Sequence, residues 1–359
     1  MMKIGVDLSA LNFKYIGGIG IYVKNLLESI DVNEREYFTL LYPIKSEFNR
    51  SLQFYKTDTL GLSGRFGTLE WYYFGGILLK KYGLDTFWGP AYIIPGGLDK
   101  NVKTIVTIHD SLIFLKSSNR EMIIKKLWHT LYHQSARHSE KVANKVITVS
   151  KTSASDLEQI FPDISKKLEI IFPSINKNLF KIIPDAYQKF FTKYGISKPF
   201  VLIIHMESER KNFRLVIDSF KKQDKGILCA VGRLSDSKVS YAKSQLGDRF
   251  FYLGYVDETD LPIIYSAANV LIAPSRAEGF DIPPLEARAC GTNVIASDIS
   301  VHREVLENEA EYFEIDDANK LSKLIFDSLS TSKIVVPSKI IDKYDWRQSA
   351  IKLLKMFSE

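Results

Sequence analysis

The sequence predicts an α/β protein of two parallel-sheet units, and three observations carry that expectation. At 359 residues the chain is too long for one small core, and 45% apolar with 25% charged residues is ordinary for a globular protein. Short β-branched runs alternate with amphipathic stretches along both halves, the order that gives parallel strands joined by crossover helices. Each half also carries a ligand-type loop between a strand and a helix, glycine-rich at Gly17 and basic at Arg210.

In the first half, Lys3 to Leu8 reads as a buried strand. Gly17-Gly18-Ile19-Gly20 follows, then Ile21, Val23, Leu26, Leu27 and Ile30 at helical spacing. Strand, glycine loop and helix form a Rossmann-like first unit, but the match to G-x-G-x-x-G is poor and does not support a nicotinamide site. The loop offers backbone that a ligand can approach closely; the plainer alternative is a tight turn. Thr39 to Tyr42 reads as a second strand, Ser63 to Tyr82 as an aromatic-rich helix, and Asp85 to Pro90 as a strand end. Thr104 to Asp110 is a β-branched strand ending in His109-Asp110. Ligands of open α/β sheets bind outside the carboxyl ends of strands, which marks His109 among the six histidines. Met122 to Ala143 is a long helix carrying Lys125, Lys126, His129, His133, Arg137, His138 and Lys141. Such a helix suits an anionic membrane surface, or packs one face on the sheet and leaves the other solvated. Val146 to Ser150 is a strand, Ser150 to Asp156 a capped helix start, and Ile170 to Pro173 closes the half.

Ser174 to Lys198 reads as the linker. Phe200 to Ile204 is a buried strand, followed by His205 to Asn212 and a helix through Leu215, Val216, Ile217 and Phe220. Arg210 and Lys211 stand in that loop as a planar fork and a point charge suited to a diphosphate, with the helix dipole behind them. Strands follow at Gly226–Gly232 and Phe250–Gly254, then a helix from Asp260 and a strand at Val270–Ala273. The next stretch holds Glu278 and Glu286 eight positions apart, with Pro283 and Pro284 between them. The prolines forbid one helix through both glutamates, so a loop from Pro274 to Ile282 feeds a helix with proline in its first turn. That terminus is expected to aim several free N–H groups at an anion, while Glu278 suits a donor such as a sugar hydroxyl. Asn293–Ser297 is a further strand, Val301–Leu306 a short helix, and Trp346–Phe357 an amphipathic helix expected to cross back to the first unit. The expected boundaries are 1–175 with 343–359, and 176–342. Tandem Rossmann-like units imply a cleft between them, faced by strand carboxyl ends.

The rest of the sequence sets bounds. The formal charge of +6 permits an anionic ligand or membrane face and requires neither. Cys229 and Cys290 give no metal spacing. The start has no signal-peptide pattern and no apolar stretch reaches a membrane span, so the cytoplasm is the expected location.

With these residues placed, the chain resembles retaining glycosyltransferases of family 4, which have the two-domain GT-B fold. The most specific part is E-x7-E, Glu278 to Glu286, inside Glu-Gly-Phe-Asp-Ile-Pro-Pro-Leu-Glu-Ala. Arg210-Lys211-Asn212, Gly254-Tyr255-Val256, Pro274-Ser275 and Ala289-Cys290-Gly291 support it, as do Gly17-Gly18-Ile19-Gly20, His109-Asp110 and Val149-Ser150-Lys151 in the first half. All lie in family order, over essentially the whole chain.

The resemblance implies roles. Arg210 and Lys211 would hold a donor diphosphate, approached by backbone near Gly17 and Gly18. Glu278 would hold sugar hydroxyls with N–H groups from Gly279, Phe280, Asp281 and Ile282, Leu285 would line the donor site, and Glu286 would hold the ribose. His109 would sit beside the transferring sugar. No Asp-x-Asp occurs, in keeping with metal-independent transfer that needs no cofactor, cations neutralising the leaving group. The strand before the Arg-Lys pair usually ends in glycine; here it ends in His205, followed by Met206, and Pro173-Ser174-Ile175 replaces the usual Pro-Asn-Gly. His205 would crowd the diphosphate or add a donor to it. Phe87-Trp88-Gly89-Pro90 and Thr107-Ile108-His109-Asp110 are most similar to bacterial polysaccharide mannosyltransferases, which implies GDP-mannose ahead of a UDP-sugar. The acceptor would be a lipid-linked oligosaccharide, with peripheral contact to the inner face of an anionic membrane and no nucleic acid. Two other readings stay open: a nucleotide-binding partner or scaffold without transfer, and glycoside hydrolysis by the two glutamates.

Overall fold

The computed structural model describes residues 2–11, 17–44, 52–62, 64–114, 123–197, 199–331, 335 and 337–359, with backbone alone at 44, 64–66 and 123–129. The chain divides into two units, Met1–Pro173 with Asp345–Glu359, and Ser174–Tyr344.

The first unit is a parallel sheet of β1 (Ile4–Asp7), β2 (Phe38–Ile44), β3 (Lys56–Leu62), β4 (Thr86–Gly89), β5 (Lys103–Thr107), β6 (Lys145–Thr148) and β7 (Leu168–Ile170). The strand order is β3-β2-β1-β4-β5-β6-β7. Helices α1 (Gly18–Glu28), α2 (Gly64–Leu79), α3 (Ile123–Val142) and α4 (Lys151–Ile160) connect the strands. β1 pairs in parallel with both β2 and β4, Ile4 standing opposite Phe38 and Thr86. Strands after β1 run outward on one side, and β4 returns to the other. The chain therefore reverses direction between β1 and β4, the place where open α/β sheets bind ligands. The C-terminal helix (Trp346–Ser358) belongs to this unit. Ser349 donates to the Phe172 carbonyl at 2.7 Å, Lys103 donates to the Met356 carbonyl at 2.7 Å, and the Phe357 ring meets Phe38 edge-on at 5.5 Å.

The second unit repeats the plan with β8 (Phe200–Ile204), β9 (Ile227–Val231), β10 (Phe250–Gly254), β11 (Val270–Ala273), β12 (Asn293–Ser297) and β13 (Glu311–Phe313), ordered β10-β9-β8-β11-β12-β13. Its helices are α5 (Ala186–Tyr194), α6 (Phe213–Lys221), α7 (Asp236–Leu246), α8 (Leu261–Ala267), α9 (Ile282–Ala289), α10 (Ser300–Leu306) and α11 (Ala318–Ser330). The reversal falls between β8 and β11, with Val201 opposite Val270. β8 is buried along its whole length, which is why it reads as an unbroken apolar run. α6 lays Phe213, Val216, Ile217 and Phe220 on that core.

Several expectations are corrected. The expected linker holds helix α5, whose Phe190 is fully buried and stacks on Phe200 at 4.5 Å. Strands β3 and β13 and helices α7 and α11 were not legible. β3 is an edge strand of mixed exposure and β13 has three residues, so neither offers a clear alternation. α11 does carry a cap, the Asp317 carboxylate accepting from the N–H of Asn319 and Lys320. For the basic helix, Met122 lies outside the described residues, as do the side chains of Lys125, Lys126 and His129. No described helix is long and apolar enough to cross a membrane.

Candidate functional site

Two loops leave the reversal point of the second unit side by side. The loop after β8 runs from His205 to Asn212 and turns through a short 3-10 helix at Glu209–Lys211. It is held from α7, where the Lys238 ammonium donates to the Glu207 carbonyl at 2.6 Å. The loop after β11 runs from Pro274 to Asp281. The two are tied along their backbones, the Arg276 N–H donating to the Arg210 carbonyl at 2.8 Å and the Arg210 guanidinium to the Ala277 carbonyl at 3.1 Å.

Side chains complete the junction as a line of alternating charges. Arg210 pairs with Oε2 of Glu278. Oε1 of Glu278 accepts from the Lys211 ammonium at 2.8 Å and from the Ser275 hydroxyl at 2.8 Å. Lys211 also reaches Oδ1 of Asp281 at 2.7 Å, and Oδ2 of Asp281 lies 3.1 Å from Nε2 of His302. The Lys211, Glu278, Asp281 and His302 side chains are 11%, 6%, 3% and 1% exposed, so the line lies within the protein up to Arg210, which is 37% exposed. Burial opposes charge on Lys211, yet Asp281 and Glu278 outweigh it and its pKa is raised. Burial likewise opposes ionisation of Asp281, but Lys211 and His302 hold its carboxyl well below the usual range.

Backbone strain gathers here. Seven described non-glycine residues have left-handed φ, and His205 (55°), Asn212 (54°) and Asp281 (69°) belong to these two loops. That conformation explains why glycine suits the end of β8. At His205 the ring lies over Gly232, where an added Cβ would stand 2.4 Å from Nδ1. The His205 edge reaches solvent, but the protein packed around the imidazole, and next the Lys211 ammonium, push its pKa down to about 4.

The N-terminus of α9 differs from expectation. The helix starts at Ile282, and Pro283 and Pro284 occupy its first turn without N–H groups. Asp281 makes no side-chain cap. The first turn therefore supplies fewer donors than a general helix terminus, and the cations of the preceding loop carry more of any anion binding. Phe280 and Leu285 turn into the core, Phe280 meeting Tyr344 edge-on at 5.1 Å, so only their main chain can serve a ligand, and Gly279 is buried as well. Glu286 accepts from the Tyr265 hydroxyl at 2.7 Å, and burial pushes its pKa up to about 7.

In the first unit, Asp7 ends β1 and accepts from the Ser9 N–H at 2.8 Å and the Trp71 indole at 3.1 Å. Burial pushes its pKa up to about 6 against both bonds. His109 follows β5; its Nε2 donates to the Pro90 carbonyl at 2.8 Å, and Tyr22 meets its ring edge-on at 5.1 Å. Burial holds His109 neutral, its pKa near 4. Gly17 caps α1 at φ −81°, and among the described residues a Cβ on Gly17 or Gly18 would meet nothing within 4 Å. Among the described residues no packing contact demands either glycine.

The structure thus brings Arg210, Lys211, Glu278 and Asp281 into one line in the second unit, with Glu286 and His205 on the same pair of connections. Sequence reasoning missed His302, Ser275 and Tyr265. Only the placement of His302 just after β12, the strand paired with β11, could have signalled the first.

Residues 187–334 match the family model described as glycosyl transferases group 1. The chain is 24% identical over 265 residues to O-antigen chain mannosyltransferase B of Escherichia coli, a match covering 70% of this chain and 67% of the relative. It is 32% identical over 216 residues to O-antigen chain mannosyltransferase RfbU of Salmonella typhimurium, covering 59% of this chain and 57% of that one. The match thus spans little more than half the length of the second relative. Among solved structures, Anabaena HepE in complex with UDP superposes with a TM-score of 0.73 at 17% identity, over 100% of both chains. The chain is a glycosyltransferase of the GT-B fold, similar to bacterial polysaccharide mannosyltransferases.

Proposed function

We propose that the chain transfers a hexosyl unit, mannosyl ahead of others, from a nucleoside diphosphate sugar to a sugar hydroxyl of an oligosaccharide, with retention at the anomeric carbon. The observation that carries this reading is the convergence of Arg210 and Lys211 at the reversal point between β8 and β11. Two fixed cations there neutralise the charge that grows on a departing diphosphate, with no metal or cofactor called for. Glu278 aims both cations and offers carboxylate oxygens to sugar hydroxyls. Glu286, oriented by Tyr265, offers the same to a ribose. No buried nucleophile is needed if the acceptor attacks from the face the diphosphate leaves, its proton passing to the leaving phosphate oxygen. His109, neutral and donating through Nε2 to Pro90, would then shape the acceptor side.

The mannosyl preference follows the two O-antigen mannosyltransferases named above and makes GDP-mannose the first donor to try, with UDP-sugars second. A lipid-linked acceptor, and with it peripheral contact to an anionic membrane face, fits their part in O-antigen assembly. The reading as a non-catalytic nucleotide binder draws on His205, whose side chain stands where the backbone conformation favours glycine. Glycoside hydrolysis loses ground, because both carboxylate oxygens of Glu278 are engaged by Arg210 and Lys211 rather than turned to a glycosidic bond. The test is a panel of nucleotide sugars scored for thermal stabilisation and for sugar release or transfer. Release from GDP-mannose above all others supports the full proposal. Nucleotide binding without any release supports the binder, and cleavage of free oligosaccharide without nucleotide supports the hydrolase.

A further inference from the structure

We infer that His302 is a positioning residue for the diphosphate site: by holding Asp281 it sets where Lys211 points. The inference rests on the reading that Lys211 binds the diphosphate. His302 stands in the first turn of α10 and is 1% exposed. Its Nδ1 lies 3.0 Å from the Ser297 carbonyl, and its Nε2 lies 3.1 Å from Oδ2 of Asp281. The Asp281 carboxylate only accepts, so Nε2 is the donor in that contact. The Ser297 hydroxyl, 3.2 Å from Nδ1, is directed to the Ser275 carbonyl. His302 is therefore anchored through β12 and grips one oxygen of Asp281 while Lys211 takes the other.

This division matters because the Asp281 carboxylate is buried, on a backbone held at φ 69°. With His302 in place, Asp281 spends one oxygen on Lys211 and the ammonium keeps capacity for a third partner beyond Glu278 and Asp281. Without His302, the whole carboxylate falls to Lys211, the nearest cation left. It then competes with an incoming phosphate for the same ammonium hydrogens.

The test is calorimetric titration of the full chain with GDP and UDP, and with GMP and UMP as controls lacking the second phosphate. His302→Leu is expected to weaken the diphosphate that binds by about 10-fold or more while changing the monophosphate by less than about 3-fold. His302→Gln, which can still donate to Asp281, is expected to stay within about 3-fold of the parent chain for both. In an Asp281→Asn background, adding His302→Leu is expected to change nothing further, because the charge it restrains is gone. Equal weakening of diphosphate and monophosphate, failure of His302→Gln to rescue a folded chain, or full additivity with Asp281→Asn overturns the inference. Should His302→Leu not fold, the Gln variant and the additivity test on it decide by the same criteria. Lys211→Ala separates the two claims: if it binds diphosphate normally, the reading of Lys211 fails. If it loses binding while His302→Leu keeps it, only the role of His302 fails.

Discussion

Two buried aspartates stand next to the two sheet reversals, Asp7 at the end of β1 and Asp281 at the start of α9, and their neighbours answer the same burial in opposite ways. Asp7 ends β1 with an amide and an indole for company, and its carboxyl is pushed up to about 6. Asp281 follows β11 between Lys211 and His302, and its carboxyl is pulled far down. Both lose water to a similar degree. The difference is that neutral donors offset desolvation in part, while a buried ammonium outweighs it. The first unit thus sets at its reversal point a carboxyl that ionises only towards pH 6, with His109 uncharged beside Tyr22 and Tyr92. The second keeps its own fully charged. A charged junction that already balances cations against carboxylates can exchange a carboxylate for a phosphate at small cost, which suits a donor diphosphate.

The largest expected effect comes from breaking the charged line. Lys211→Ala and Arg210→Ala should each lower turnover by about 10²–10³-fold, as loss of one preorganised donor to a developing anion does. Sugar transfer rates at saturating donor measure this, and near-normal rates in both variants would remove the chemical role assigned to the second unit. Next comes stability. A buried carboxylate held by a cation contributes above its unfolded pKa and loses that contribution as pH falls through its folded pKa, so Asp281→Asn should destabilise the second unit at pH 7 by about 3–5 kcal/mol, and by progressively less only as pH falls below about 4 towards the strongly lowered folded pKa. Calorimetric unfolding across pH reads it.

Asp7 should behave in the reverse sense. Its raised pKa means no penalty below pH 4 and a growing one through pH 6, on the order of 3 kcal/mol when complete. Asp7→Asn should remove that slope, less about 1 kcal/mol for the bond lost by the Trp71 indole. All four tryptophans, Trp71, Trp88, Trp128 and Trp346, belong to the first unit, so their fluorescence follows it alone. Glu286 in the second unit sharpens the comparison, since it is buried with a tyrosine rather than a cation. Glu286→Gln keeps the Tyr265 bond and should make the chain more stable above pH 7 by up to about 3 kcal/mol, with no gain near pH 4. A loss of stability at pH 8 would show that the carboxylate has a cationic partner after all.

The smallest effect on stability is expected at Gly17. With no described atom within 4 Å of its Cβ position, Gly17→Ala should alter unfolding by less than about 0.5 kcal/mol. Turnover should fall nonetheless if bare backbone there approaches the donor. Gly89 is the control, because a Cβ on it would stand 1.9 Å from the Ile93 carbonyl and the fold itself requires the glycine.

Much of this was legible in the sequence, for physical reasons. Phe200 to Ile204 is apolar throughout because both faces of a parallel strand are covered, and Arg210-Lys211 was visible because a basic pair seldom sits between a buried strand and a helix by chance. The pairing of Glu278 with those cations was not, because 67 residues separate Lys211 from Glu278 and no local pattern links them. His302 was hidden for the same reason, being joined to Asp281 only by the adjacency of β11 and β12. The prolines misled in the other direction: they marked the start of α9 correctly, and in doing so removed the N–H groups that made the terminus attractive. Helix α5 is short and buries only Ala186 and Phe190, too few to show a helical period, although Gly195 at φ 71° closes it as a left-handed cap.

The central claim is that Lys211 holds the donor diphosphate. Calorimetric titration of GDP and UDP into the parent chain and Lys211→Ala tests it most directly. The account predicts that the nucleotide bound by the parent loses at least about 10-fold in affinity in the variant, while the corresponding monophosphate loses less. Equal diphosphate affinity in the two chains would contradict it.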